Sequence, residues 1–151
     1  MLEVKDLTVR EVMSRLPEVL APDQTVAQAY ELLTEQGITG APVIDDDGRL
    51  RGVFSLRDVL AGLAAVLTAD EPADLVARLR RERVVDHLGR GALTCELSTP
   101  LVEACKLMVK ERVHRVVVVD EDRPVGVLSA IDVVRGLACL GALEGDEVCE
   151  R

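Results

Sequence analysis

"RGVFSLRDVL", residues 51–60, starts as a β-branched strand, turns at a serine and continues with apolar residues at helical spacing. "VGVLSAIDVV", residues 125–134, says nearly the same thing again, and both carry Gly-Val-x-Ser-x-x-Asp. A strand that runs straight into a helix and recurs in one chain predicts a duplicated unit. It also poses a chemical question, whether Ser55 with Asp58 and Ser129 with Asp132 are helix caps or parts of a ligand site.

Outward from this motif, residues 49–64 laid on 123–138 give nine identities in sixteen positions, including Arg49/Arg123, Gly52/Gly126 and Gly62/Gly136. Upstream, residues 8–47 align with 83–122: "TVREVMS" on "RVVDHLG", "TVAQAYELLTEQGI" on "PLVEACKLMVKERV", and "APVIDDD" on "VVVVDED".

Each copy then divides by period. Val26, Ala29, Leu32 and Leu33 fall on one helical face with Asp23 or Thr25 as candidate caps, and Leu101, Ala104, Leu107 and Met108 match them after Ser98-Thr99-Pro100. Residues 41–44 and 116–119 are short apolar runs closed by acidic turns, as buried strands would be, and residues 50–54 and 125–128 read as their antiparallel partners. Ser55 and Ser129 open final helices expected to turn Val59, Leu60 and Leu63, and Val133, Val134 and Leu137, inward. With first strands expected at 18–21 and 93–96, the expected fold class is α/β (α+β), two β-α-β-β-α repeats packed about a pseudo-twofold axis. The divisions are repeat one at 8–64, a linking helix at 65–82, repeat two at 83–138 and a tail at 139–151. Asp70 and Pro72 mark the linking helix's start, and its late arginines suit the helix dipole.

Composition narrows function. Hydrophobic residues are 48% and charged residues 30% of the 151, the balance of a folded globular chain, and the net charge of −9 repels nucleic acid and anionic membranes. Tyr30 and Phe54 are the whole aromatic complement, too few for a base-stacking platform. The opening "MLEVKDLTVREV" is too charged for a signal peptide, and no apolar run approaches the ~18 residues of a membrane span, so a cytoplasmic location is expected. Cys95, Cys105, Cys139 and Cys149 lack metal-ligand spacing and read as reduced thiols, with no metal expected. "IDDDG", residues 44–48, lacks the alternating ligands of a calcium loop and reads as a β-turn.

The duplicated order of "VMS", "APVID"/"VVVVD" and Gly-Val-x-Ser-x-x-Asp resembles a tandem pair of cystathionine-β-synthase (CBS) domains, also called a Bateman module. The resemblance spans nearly the whole chain, so no appended enzyme or transporter is expected. It implies a regulatory module that binds adenine nucleotides (AMP, ADP, ATP) or adenosyl compounds in clefts between the repeats, signals to a protein partner and forms homodimers. It implies no obligatory cofactor and no catalysis. By position it nominates Asp58 and Asp132 for ribose, Ser55 and Ser129 for phosphate, and Ala41-Pro42 and Val116-Val117 for the base.

Independent chemistry agrees: a helix N-terminus offers unpaired amides to phosphate, and a carboxylate can accept from two adjacent hydroxyls. The competing reading is a capping box, worth about 0.5–2 kcal/mol, and the two roles can coexist. The copies differ in charge. Thr94, His114 and Arg115 of repeat two align with Val19, Thr39 and Gly40 of repeat one, where Arg57 is the candidate substitute. The expectation is one good site, at Asp132 with Ser129, and one weak or vacant site. An alternative is a dimerisation or interaction module with vestigial clefts. A Cys105–His114 nucleophile pair has no orienting third group.

Overall fold

A computed structural model of the chain describes residues 4–15, 18–67, 75–88 and 91–141. In chain order these form a 3-10 turn (Val4–Asp6), α1 (Val9–Val12), β1 (Ser14–Arg15), α2 (Val26–Glu35), β2 (Gly40–Ile44), β3 (Leu50–Ser55), α3 (Leu56–Leu67), α4 (Leu75–Arg81), a second 3-10 turn (Val84–His87), β4 (Thr94–Glu96), α5 (Leu101–Glu111), β5 (Arg115–Asp120), β6 (Arg123–Ser129) and α6 (Ala130–Gly141). The mixed α+β class is the one expected. The proposed helix start at Asp70 and Pro72, the tail from 142 onward and Cys149 lie outside the described residues.

The chain divides into two compact units, Met1–Pro17 with Leu93–Arg151, and Glu18–Ala92. This division differs from that of the sequence repeats. The opening of repeat one belongs to the unit of repeat two, and the opening of repeat two belongs to the unit of repeat one.

The unit of repeat two is built on a four-stranded sheet ordered β1-β6-β5-β4, with β4 parallel to β5 and the other pairs antiparallel. Four consecutive valines of β5 are buried; Val116 and Val118 enter the core with Leu101, Met108 and Leu128. The opening segment is fastened by backbone, with Val9 N donating to Thr99 O and Leu101 N to Leu7 O, each at 2.9 Å. It reaches β6 because residue 126 is glycine: a Cβ there would lie 2.6 Å from Ser14 O.

The unit of repeat one holds the β2–β3 hairpin, with Ala41, Val43 and Phe54 turned into a core shared with Leu20, Leu33 and Val84. Thr25, the candidate cap borne out, forms a full capping box with Gln28. The segment after α4 crosses the start of α2: Val26 N donates to Glu82 O and Val84 N to Gln24 O, both at 2.9 Å. The Glu82 carboxylate also accepts from Arg78 Nε and pairs with His87 Nε2 at 2.7 Å. Residues 45–48 form the expected turn, in which Asp45 Oδ1 accepts the Asp47 and Arg49 amides at 3.0 Å each.

Three expectations need correction. The strand at 18–21 shrinks to a single bridge, Leu20 to Val43, because Pro22 and the turn closed by Gln24 N to Ala21 O end it at once. Leu60, Val134 and Leu137 face solvent, at 64%, 58% and 42% exposure, while Val59 and Val133 pack inward; the Leu63 side chain lies outside the described residues. Cys139 is disulfide-bonded, so the four cysteines are not all reduced thiols; Cys95 is free and buried, and Cys105 free and half-buried.

Candidate functional site

The two Ser-x-x-Asp turns have the same skeleton. In each, the serine ends a strand and the aspartate is the third residue of the helix that follows without a loop. The serine donates its amide and hydroxyl to Oδ2 of the aspartate, at 2.7 and 3.0 Å for Ser55 with Asp58 and at 2.9 and 2.7 Å for Ser129 with Asp132. The first amide of each helix is also engaged, Leu56 N with Thr39 O and Ala130 N with His114 O, both at 2.9 Å. The reach of the aspartate back to the strand-end serine is therefore common to both copies.

The rest differs. In repeat two the Asp132 amide donates back to Ser129 Oγ at 3.2 Å, completing the box, whereas no such bond joins Asp58 to Ser55. Asp132 Oδ1 accepts Ser14 Oγ at 2.8 Å and Arg135 Nη1 at 3.1 Å. Asp58 Oδ1 has no partner among the described residues. Asp132 is 3% exposed and is the one buried charged residue among those described; Asp58 is half-buried. Burial alone would raise the Asp132 pKa, but the Ser129 hydroxyl and amide, Ser14 and Arg135 together hold it below the ordinary carboxylate value.

Strand pairing sorts the other nominated residues. Arg115 is opposite Ser129, Thr94 beside Val117, and Ser14 opposite Val127, so Ser14, Thr94, Arg115, Val117 and Ser129 share the sheet face away from Val116 and Val118. Val116 itself is a core side chain and can offer a ligand only its backbone. In repeat one Ala41 is likewise in the core, while Pro42, opposite Val53, shares the outer face with Ser55. Arg57, His114 and Arg115 are exposed and make no side-chain hydrogen bond or ion pair among the described residues.

A groove of about 470 Å³ lies elsewhere on the unit of repeat two, lined by residues of α5 and α6 and by Arg112, Val113 and His114. It includes neither Asp132 nor Ser129, and burial pushes the Cys105 thiol in it upward, away from a reactive thiolate. Ser14 and Arg135 were not nominated from sequence. The available signal was the internal alignment, which sets Ser14 against Gly89 and Arg135 against Ala61.

The CBS domain family model matches residues 9–65 and 73–139. Among curated proteins, the chain is 32% identical over 149 residues to the chloroplastic CBS domain-containing protein CBSX1 of Arabidopsis thaliana, a match taking in 85% of this chain and 63% of that protein. It is 30% identical to the A-adding tRNA nucleotidyltransferase of Aquifex aeolicus, over 87% of this chain but only 14% of the enzyme. The chain thus spans less than two thirds of either relative. Among solved structures, CBSX2 of Arabidopsis thaliana in complex with AMP is 30% identical, with a TM-score of 0.73, covering 89% of this chain and 98% of that one.

Proposed function

The chain belongs to the CBS domain family, and from that membership we propose that it is a regulatory module that binds an adenine nucleotide or a related adenosyl compound and passes the change to a protein partner. The observation that carries the reading is Asp58: a carboxylate at the start of a helix, one oxygen fixed by Ser55 and the other without a partner among the described residues. That is the acceptor a ribose diol requires. Ser55 and Arg57 stand beside it for phosphate, with Pro42 on the same sheet face and the Ala41 backbone for the base. In repeat two, Asp132 and Ser129 with Thr94, His114, Arg115, Val116 and Val117 form the second candidate set. The complex of CBSX2 with AMP supports the ligand class.

The role is binding rather than catalysis, with no obligatory cofactor, in the cytoplasm and as a homodimer. Among the described residues no helix is long and apolar enough to cross a membrane, and the charge of −9 disfavours nucleic acid. Calorimetry on nucleotide-stripped protein tests the reading: AMP should bind with at most millimolar Kd, about −4 kcal/mol, and Asp58→Asn should weaken it about tenfold or more. No heat with AMP, ADP, ATP or S-adenosylmethionine would sink it.

A second reading, an association module with vestigial sites, is favoured by the exposed Leu60 of α3 and the exposed Ile131, Val134 and Leu137 of α6. It predicts self-association in a protein that binds none of these ligands.

A further inference from the structure

The two copies share the bonds from serine to aspartate and differ in what else the aspartate holds. Oδ2 of the aspartate is occupied by the preceding serine in both, so the two carboxylates differ at Oδ1. In repeat two Ser14 Oγ, from 118 residues earlier in the chain, and Arg135 Nη1 fill that oxygen. In sequence, Ser14 aligns with Gly89, in the opening of repeat two, and Arg135 with Ala61 of repeat one, and neither glycine nor alanine has a polar side-chain atom to offer.

We infer that Ser14 and Arg135 close the repeat-two carboxylate to ligand hydroxyls, so that the chain binds one adenosyl ligand, through Asp58, and not two. The inference rests on the reading of these aspartates as ribose acceptors. A diol approaching Asp132 must displace both donors from a carboxylate that is 3% exposed, leaving the Ser14 hydroxyl and the Arg135 guanidinium without their partner. A diol approaching Asp58 displaces nothing. Ser14 and Arg135 are thus positioning residues that select which copy is open, and Asp132 serves to hold β1 and α6 together.

The test transplants the aligned residues, Gly89 and Ala61. In calorimetry with AMP on the full, nucleotide-stripped chain, the wild type should bind one AMP, and Asp58→Asn should lose it. The S14G/R135A double variant should bind two, and adding Asp132→Asn to it should remove the second while leaving the first. Two AMP per wild-type chain, or a single site in a double variant that unfolds cooperatively, overturns this inference and leaves the proposed function standing. No AMP bound by either protein overturns both. If the double variant does not fold, the single substitutions Ser14→Ala and Arg135→Gln serve instead: each should admit a second, weaker site, and one site in both overturns the inference.

Discussion

Asp132 shows how burial and hydrogen bonding compete at one side chain. Desolvation favours the neutral acid, but four donors around the two oxygens favour the carboxylate more, and the folded pKa falls below its unfolded value. A carboxylate depressed in this way contributes stability above the unfolded pKa of about 4 and loses that contribution as pH falls through the folded value. Asp132→Asn should therefore cost about 1–3 kcal/mol near neutrality. Its gap from wild type should narrow as pH falls below about 4. Urea unfolding of both proteins across that range measures the gap, and a gap independent of pH would show that the charge is not what the donors hold.

Among the elements, those legible in the sequence were the ones with a local period or a second copy to check against: α2 against α5, β2–β3 against β5–β6, and the two Ser-opened helices. What sequence could not show was β1. Two residues long, it has no period of its own, and its register is set by Val127 and Gly126, more than a hundred positions away. For the same reason the Ser14–Asp132 contact was hidden, although both residues lie in motifs read from the sequence. The outward turn of Leu60, Val134 and Leu137 was missed because helical spacing marks which residues are apolar together, not which apolar face the unit itself covers. The two motif glycines test this scale. Gly126→Ala would set a Cβ 2.6 Å from Ser14 O and 2.9 Å from Met13 S, and should cost about 1–3 kcal/mol by displacing β1. Gly52→Ala meets only Leu88 side-chain atoms, the nearest at 3.4 Å, and should fall within about 1 kcal/mol of wild type. Paired thermal melts decide it; equal losses would mean that β1 is not held by close approach at Gly126.

For the whole molecule, the apolar residues displayed on α3 and α6 bear on assembly. Ile131 and Val134 are 62% and 58% exposed, on a helix whose other side is already packed. Light scattering should find a dimer at micromolar concentration, and Ile131→Asp with Val134→Lys should return it to monomer with its unfolding midpoint little changed. A wild-type monomer at those concentrations would reject the homodimer.

The exchange of opening segments has a consequence for how such a chain could arise. A solitary repeat carries an opening segment whose seat is on another repeat, and a vacant seat for a segment it does not carry. Such a half-length ancestor completes itself only by trading segments with a sister molecule, at a rate and extent set by how many sisters are present. Joining two halves through a short link replaces that dependence with an effective concentration in the millimolar range. Duplication would then have made an already mutual arrangement independent of dilution, and left each half free to diverge around the other's segment, as Ser14 and Gly89 have done.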